Sequence, residues 1–318
     1  MTKKILILAG GGGHTGYAQI LAEELKGKAD LSFLVPVDDP LSRSRLEPYG
    51  NVESIIKPRH PRTSIWAFII RLLKAFWASP GLIPRDLDVV VSTGSNFCIP
   101  PAIVAWIKGI SNVYLESRVR FTSPSKTASI LRHFSKLIAL QWEEQKNFLN
   151  GTVFGPLLPR RKLEPWDGGY ILVAGGTYGY KELFDAFMDT GYENIVMQTG
   201  SLNPTPYLEK HPKWRVISYS DTFHELLAGA EVVVCPPGGT PIEALAYKKP
   251  VVIVRYPSWT RAAGLNDTRL FAERLNAPLL SSLTPKAIKK AVEEALTRDQ
   301  PSFTNGAETL AESILSLH

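Results

Sequence analysis

Cysteine is scarce in this chain: two residues in 318, Cys98 and Cys235, far apart and without paired spacing. That excludes a disulfide framework and a cysteine-based zinc site, and it fits a reduced compartment. A leader segment is not expected, because strand-like sequence begins at about residue 4. The uncharged run Val89 to Ile107 is broken by Gly94, Asn96, Pro100 and Pro101. It reads as strand, loop and helix, and no transmembrane span is expected in the chain. Acid is missing from two long stretches. Between Glu53 and Asp86 every charged residue is basic (Lys57, Arg59, Arg62, Arg71, Lys74, Arg85), and the same holds from Glu116 to Glu143. Residues 1–160 carry 20 Lys+Arg against 12 Asp+Glu, whereas residues 161–318 carry 16 against 18. The first half should therefore meet something anionic. Nucleic acid is not expected, because no recognition motif accompanies the charge.

A hydrophobic fraction of 44% over 318 residues gives enough apolar sequence for two globular domains, each with its own core. Short apolar runs alternate with helix-length segments throughout. Candidate strands are 4–9, 31–36, 52–57, 88–92, 112–116 and 136–140, then 170–174, 194–198, 214–218, 231–235 and 251–254. Runs such as Val89-Val90-Val91 fit strands buried on both faces, so doubly wound parallel sheets are predicted. The proline-bearing stretch 155–169 reads as a linker. The expected division is 1–158 and 159–318, two Rossmann-like α/β domains with a cleft between them. A last helix over about 303–317 is a candidate to cross back onto the first domain.

Each half opens with a strand that runs into glycines and then into an amphipathic segment. The first loop is Gly10-Gly11-Gly12-Gly13-His14-Thr15-Gly16 and the second is Gly175-Gly176-Thr177-Tyr178-Gly179. Such a turn brings backbone N–H groups and a helix N-terminus close to a phosphate. The spacing Gly11-x-Gly13-x-x-Gly16 also satisfies the dinucleotide fingerprint of an oxidoreductase. Against that reading, Asp38 falls 27 residues after Gly11, and His14 lies inside the loop. The positive end of a helix dipole favours neutral imidazole, which is the form a general base needs.

In the second half, Val234-Cys235-Pro236-Pro237-Gly238-Gly239-Thr240-Pro241-Ile242-Glu243-Ala244-Leu245 reads as strand, turn and helix, with Glu243 expected in the first helical turn. Gly238, Gly239 and Thr240 can face a diphosphate, and Glu243 can accept hydrogen bonds from ribose hydroxyls. Gly-Thr-x-x-Glu-Ala-Leu followed by Lys249-Pro250 resembles the nucleotide-sugar site of GT-B glycosyltransferases that act on polyprenyl-diphosphate sugars. That group includes bacterial lipid II synthase and the two-subunit eukaryotic enzyme that adds the second GlcNAc to dolichol-diphosphate-GlcNAc. The chain looks like both subunits fused, as in archaeal enzymes of N-glycan assembly. The loop at His14, Ser92-Thr93-Gly94, Tyr114-Leu115-Glu116-Ser117 and Leu140-Gln141-Trp142 resemble the acceptor- and membrane-side subunit. Gly175-Gly176-Thr177 and Gln198-Thr199-Gly200 resemble the donor side, where Asn266 and Asp267 match residues that face the sugar.

The resemblance implies an inverting, metal-independent transferase with UDP-GlcNAc as donor, a polyprenyl-(di)phosphate-linked sugar as acceptor (a β-1,4 linkage onto GlcNAc) and no bound cofactor. His14 is the expected base, with Glu116 as its orienting partner or the alternative base; a plain Glu116–Arg118 ion pair is the competing reading. Gly11, Gly12, Gly13, Thr15 and Gly94 are expected on the acceptor, and Gly175, Gly176, Thr177, Gln198, Gly200, Gly238, Gly239, Thr240, Glu243, Asn266 and Asp267 on the donor. The segment 64–79 is rich in large apolar residues with Arg71 and Lys74 among them. Trp66, Phe68, Ile69, Leu73 and Trp77 suit an interfacial helix on anionic lipid at the cytoplasmic face, although residues at this spacing also build ordinary cores. A UDP-sugar epimerase and a non-catalytic subunit are the alternative functions.

Overall fold

A computed structural model describes residues 2–60, 63–255 and 263–317. Arg62, one of the bases named above, lies outside these residues. Two compact units are present: Met1–Leu157 with Thr304–His318, and Leu158–Phe303.

The first unit is a seven-stranded sheet: β1 (Lys3–Leu8), β2 (Ala29–Pro36), β3 (Asn51–Ile55), β4 (Val89–Ser92), β5 (Ser111–Leu115), β6 (Leu137–Leu140) and β7 (Thr152–Val153). The order is β3-β2-β1-β4-β5-β6-β7, with every pairing parallel. Its helices are α1 (Gly13–Leu25), α2 (Pro40–Leu46), α3 (Ile65–Leu82), α4 (Ile99–Ile107) and α5 (Lys126–Leu131). Successive β1 side chains point to opposite faces. Ile5 and Ile7 join the core that includes α1, whereas Leu6 and Leu8 join the core beneath α4 and α5.

The second unit is a six-stranded sheet: β8 (Tyr170–Ala174), β9 (Ile195–Gln198), β10 (Arg215–Ile217), β11 (Ala230–Cys235), β12 (Val251–Val254) and β13 (Leu279–Leu280). Its order, β10-β9-β8-β11-β12-β13, is again fully parallel. Its helices are α6 (Lys181–Met188), α7 (Thr205–Lys210), α8 (Phe223–Gly229), α9 (Gly239–Ala246), α10 (Leu265–Arg274) and α11 (Pro285–Thr297).

The chain then returns to the first unit as α12 (Gly306–Ser316). Ala307, Leu310, Ala311 and Ile314 enter the α1-side core, and Lys3 Nζ donates to the Leu315 carbonyl at 2.6 Å near the end of α12. Burying side chains of this size contributes about 1.5–3 kcal/mol each for the leucine and isoleucine. The last helix is therefore a structural part of the first unit.

Both sheets reverse strand order beside their first strand, between β1 and β4 and between β8 and β11. In open parallel sheets, ligands bind outside the carboxyl ends of the strands at this point. The glycine loops follow β1 and β8, so each sits at its own unit's reversal.

Candidate active site

In the first unit, the chain leaves β1 through Gly10–Gly13 and enters α1 with no side chain capping the helix. The positive end of the α1 dipole is thus left for a ligand. Gly11 has φ +88°, and a Cβ there would come within 2.7 Å of Asp39 Oδ2, so glycine is required. Lys57, two residues beyond β3, donates to the Gly10 carbonyl at 2.6 Å and fastens the loop from the other side. Burial lowers its pKa from the ordinary lysine value, against the opposing pull of Asp39 and Asp38.

His14 stands on the first turn of α1. Its Nδ1 lies 2.6 Å from the Thr93 carbonyl just after β4. A carbonyl oxygen only accepts, so Nδ1 carries the proton and Nε2 keeps the lone pair. Burial is the largest influence on the ring and lowers its pKa to about 4; the Thr93 contact opposes this, while the charges of Lys57 and Arg118 add to it. The imidazole is consequently neutral at physiological pH with Nε2 as its basic atom. Gly94 makes room for it: φ is +101°, and a Cβ would come 2.9 Å from His14 Cε1. The histidine of the β1 loop and the glycine of the β4 loop, eighty residues apart in sequence, thus form one site.

Glu116 does not orient His14; that partner is the Thr93 carbonyl. Fully buried, Glu116 accepts from the backbone N–H of Ser117 (2.6 Å) and of Ser125 (3.0 Å), closing the loop between β5 and α5. Burial raises its pKa and these hydrogen bonds restrain the rise. The Glu116–Arg118 ion pair of the competing reading is absent among the described residues. Arg118 instead donates from Nε to the Tyr17 hydroxyl at 2.9 Å, with its guanidinium carbon 4.1 Å from the ring centroid. Thr15 also turns inward. Its Oγ1 meets Ser42 Oγ at 2.5 Å, and Ser42 in turn donates to Asp39, so Thr15 ties α1 to α2.

The metal-independent reading takes the sequence to have no Asp-x-Asp pair for a divalent ion, but it has one, Asp86-Leu87-Asp88. The structure places it before β4, at the opposite end of the sheet from His14. There Asp86 pairs with Lys4 Nζ at 2.5 Å and Asp88 accepts from the Lys4 N–H at 2.7 Å. It is a strand-end tie.

In the second unit, Gly175 is enclosed: a Cβ would reach Phe184 Cζ at 2.4 Å. Gly176, at φ +70°, faces open space, and Thr177 is exposed beside it. Gly200 packs directly on this loop, since its Cβ would meet the Gly176 carbonyl at 2.3 Å. Gln198 is buried and donates to the Ser218 carbonyl at 3.1 Å. Both therefore shape the loop from behind. After β11, Gly238 precedes α9 with no capping side chain, and a Cβ there would meet nothing within 4 Å. Glu243 is the fifth residue of α9, one place beyond the first turn expected for it. Its side chain reaches back nonetheless, with Oε1 3.3 Å from where a Gly239 Cβ would stand. The carboxylate, Gly239 and Thr240 thus gather at the start of α9. Of the α10 pair, Asn266 is exposed, whereas Asp267 is buried and accepts from the Gly264 N–H at 3.3 Å.

Sequence reasoning named Thr93 only within the Ser92-Thr93-Gly94 motif and gave it no role, since what it offers His14 is its carbonyl, and it left Lys57 unassigned among the bases. A lone lysine closing the apolar run Ile55-Ile56 was the available signal.

On α3 much of the apolar surface is not core, although Phe68, expected at the membrane, is half-buried against Arg59 and Phe76 packs on the core beneath α4 and α5. Trp66 is 75% exposed and Trp77 86%, and Ile65, Ile69, Ile70 and Leu73 are exposed with them; Ala75 and Ser79 are the buried positions. By length and composition α3 suffices to cross a bilayer. It is held in the first unit, however, by Arg71 Nε donating to the Lys57 carbonyl at 3.1 Å and by packing on α4.

Residues 5–157 match the family model described as "Oligosaccharide biosynthesis protein Alg14 like". The chain is 26% identical to a UDP-N-acetylglucosamine--N-acetylmuramyl-(pentapeptide) pyrophosphoryl-undecaprenol N-acetylglucosamine transferase of Salinibacter ruber, over 98% of this chain and 96% of that protein. The protein of the same name from Rippkaea orientalis is 24% identical, over 98% and 95%. Among solved structures, MurG of Acinetobacter baumannii superposes with a TM-score of 0.66 at 16% identity, over 99% of both chains. The UDP-GlcNAc 2-epimerase of Neisseria meningitidis does so at 0.69 and 12% identity, over 98% of this chain and 99% of that one. The chain has the GT-B fold; its first unit resembles the Alg14-like proteins, and its whole length resembles the lipid-linked GlcNAc transferases.

Proposed function

We infer that this chain transfers GlcNAc from UDP-GlcNAc to a polyprenyl-(di)phosphate-linked sugar, with inversion and without a metal ion. The observation that carries the reading is His14: neutral, Nδ1 bound to the Thr93 carbonyl, Nε2 left to take a proton at an uncapped helix N-terminus. In the first unit the acceptor's (di)phosphate lies against Gly11, Gly12 and Gly13. Its hydroxyl gives its proton to Nε2 as the oxygen attacks the donor's anomeric carbon. In the second unit Gly176, Thr177, Gly238, Gly239 and Thr240 hold the UDP diphosphate, and Glu243 accepts from the ribose hydroxyls. Charge developing on the departing UDP meets backbone N–H groups and the start of α9. Asn266, exposed on the first turn of α10, is better placed than Asp267 to face the sugar.

The exposed α3 face, with the exposed base Lys74 on the same helix, supports peripheral binding to an anionic membrane on the cytoplasmic face. That location brings a polyprenyl acceptor to the first unit. Our finer assignment is N-glycan assembly with a dolichol lipid, supported by the match to an oligosaccharide biosynthesis family.

The test is transfer of radiolabelled GlcNAc from UDP-GlcNAc to synthetic polyprenyl-diphosphate-GlcNAc. Label enters the lipid phase if the reading holds. The likeness to the N. meningitidis epimerase favours UDP-sugar epimerisation as the second reading. Conversion of UDP-GlcNAc to its epimeric UDP-sugar without any lipid would establish that reading instead.

A further inference from the structure

Arg118 is a buried cation, 3% exposed, with no carboxylate partner among the described residues. Its neighbour Glu116 is committed to the Ser117 and Ser125 N–H groups. A buried charge left without a counter-charge costs several kcal/mol. The stabilisation visible for Arg118 comes from Tyr17, whose hydroxyl accepts from both its backbone N–H and Nε at 2.9 Å, and whose ring lies under the guanidinium. This arrangement fixes the plane of the guanidinium, and among the described residues its two outer amino groups have no hydrogen-bond acceptor. Neither outer nitrogen is among the buried atoms sealed off without a partner. Tyr17 stands one turn after His14 on α1, with ring centroids 6.2 Å apart. A base and an unneutralised guanidinium therefore share one tyrosine, at the uncapped start of a 13-residue helix.

We propose that Arg118 receives a phosphate group of the acceptor, and that Tyr17 positions it so that the bound anion lies beside His14. A planar guanidinium with two free amino groups matches phosphate oxygens in bidentate fashion. Occupancy would also act on the base. Among the described residues, the charged groups whose fields reach His14 are Lys57, after β3, and Arg118, after β5, and both disfavour its protonation. A phosphate on Arg118 offsets that field and makes Nε2 a stronger base when the acceptor is present.

This inference rests on the transferase reading, and its test separates the two. In the full chain, transfer kinetics of Arg118→Gln and Arg118→Lys are compared with wild type, together with UDP-GlcNAc binding by calorimetry. Arg118→Gln should raise the acceptor KM roughly 10- to 100-fold, as loss of a charge-assisted hydrogen bond does, with UDP-GlcNAc affinity unchanged; Arg118→Lys should recover part of the loss. An unchanged acceptor KM overturns the proposal, and lost UDP-GlcNAc affinity assigns the anion to the donor and overturns it too. A second measurement needs no transfer. Inorganic pyrophosphate added to wild type should raise the His14 pKa read by NMR, and should not do so in Arg118→Gln. Tyr17→Phe, which keeps the ring and removes the hydroxyl, covers the case of a misfolded Arg118 variant and should weaken pyrophosphate binding several-fold. An equal response in wild type and Tyr17→Phe removes the positioning role. Pyrophosphate binding that needs Arg118 in a protein without transfer activity would sink the functional reading and keep the anion site.

Discussion

The loop after β1 and the loop after β8 occupy the same place in two sheets of the same topology, yet their surroundings differ. Around the first stand His14, Lys57, Asp39 and Arg118, with the imidazole polarised by a carbonyl and depressed by burial. Around the second stand glycines, the exposed Thr177 and the backbone of the 199–201 segment; the carboxylate Glu243 enters from α9. Topology places each mouth at a strand-order reversal, and the local side chains then decide what each can do. N–H groups and one carboxylate suffice to hold a nucleotide diphosphate and ribose. Moving a proton needs a titratable group in a defined tautomer, and that is found at the first loop.

The sharpest way to break this contrast is His14→Ala. Loss of a general base costs about 10²- to 10⁴-fold in rate, so kcat should fall by roughly 10³ with UDP-GlcNAc affinity, measured by calorimetry, unchanged. Glu243→Gln tests the other side. It should raise the UDP-GlcNAc KM about 10- to 100-fold, the weight of a hydrogen bond to a charged group, while kcat at saturating donor changes much less. If Glu243→Gln lowered kcat as deeply as His14→Ala, the division of labour between the loops would fail.

A smaller effect concerns pH. The His14 pKa is lowered to about 4, so the ring stays neutral, and able to accept a proton, as pH falls from 7 to 5. Activity through a histidine of ordinary pKa near 6.5 would drop by more than about tenfold over that range. The acid limb of kcat/KM, which reports the free enzyme, should therefore lie near pH 4 in wild type. A limb near 6.5 would show an imidazole far better solvated than this structure has it.

Much of this was legible in the sequence because parallel strands are nearly continuous apolar runs. All eleven candidate strands correspond to observed ones within two residues. The two-residue strands β7 and β13 were not legible, since two residues carry no periodicity. At the site, sequence pointed to His14 and to Gly94 separately, but not to their contact, because the β1–β4 pairing that joins them is formed across more than eighty residues. Thr15, Gln198 and Asp267 have the right chemistry in the right motifs, yet they face inward to Ser42, Ser218 and Gly264. Which way a polar side chain turns at a loop edge depends on backbone donors and acceptors supplied by distant strands. Glu243 was placed one position too early in its helix, and its long side chain made up the difference.

The smallest effect expected lies away from both loops, on α3. Ala75 and Ser79 are buried, whereas Trp77 between them in sequence is 86% exposed. Removing its indole takes nothing from the core, so Trp77→Ser should leave thermal stability within about 0.5 kcal/mol, as for surface substitutions generally. Its cost should appear only where lipid is present. An interfacial aromatic ring contributes part of the 1.5–3 kcal/mol that full burial of a large apolar side chain is worth, so partition onto anionic vesicles should weaken several-fold. Transfer to a short-chain, water-soluble acceptor should be unaffected. Sedimentation with vesicles containing anionic lipid, and with neutral vesicles as the control, measures this directly. Unchanged vesicle binding would mean that this face meets something other than lipid. A matching loss on the water-soluble acceptor would mean that α3 acts on the first loop itself, through the Arg71–Lys57–Gly10 chain of hydrogen bonds.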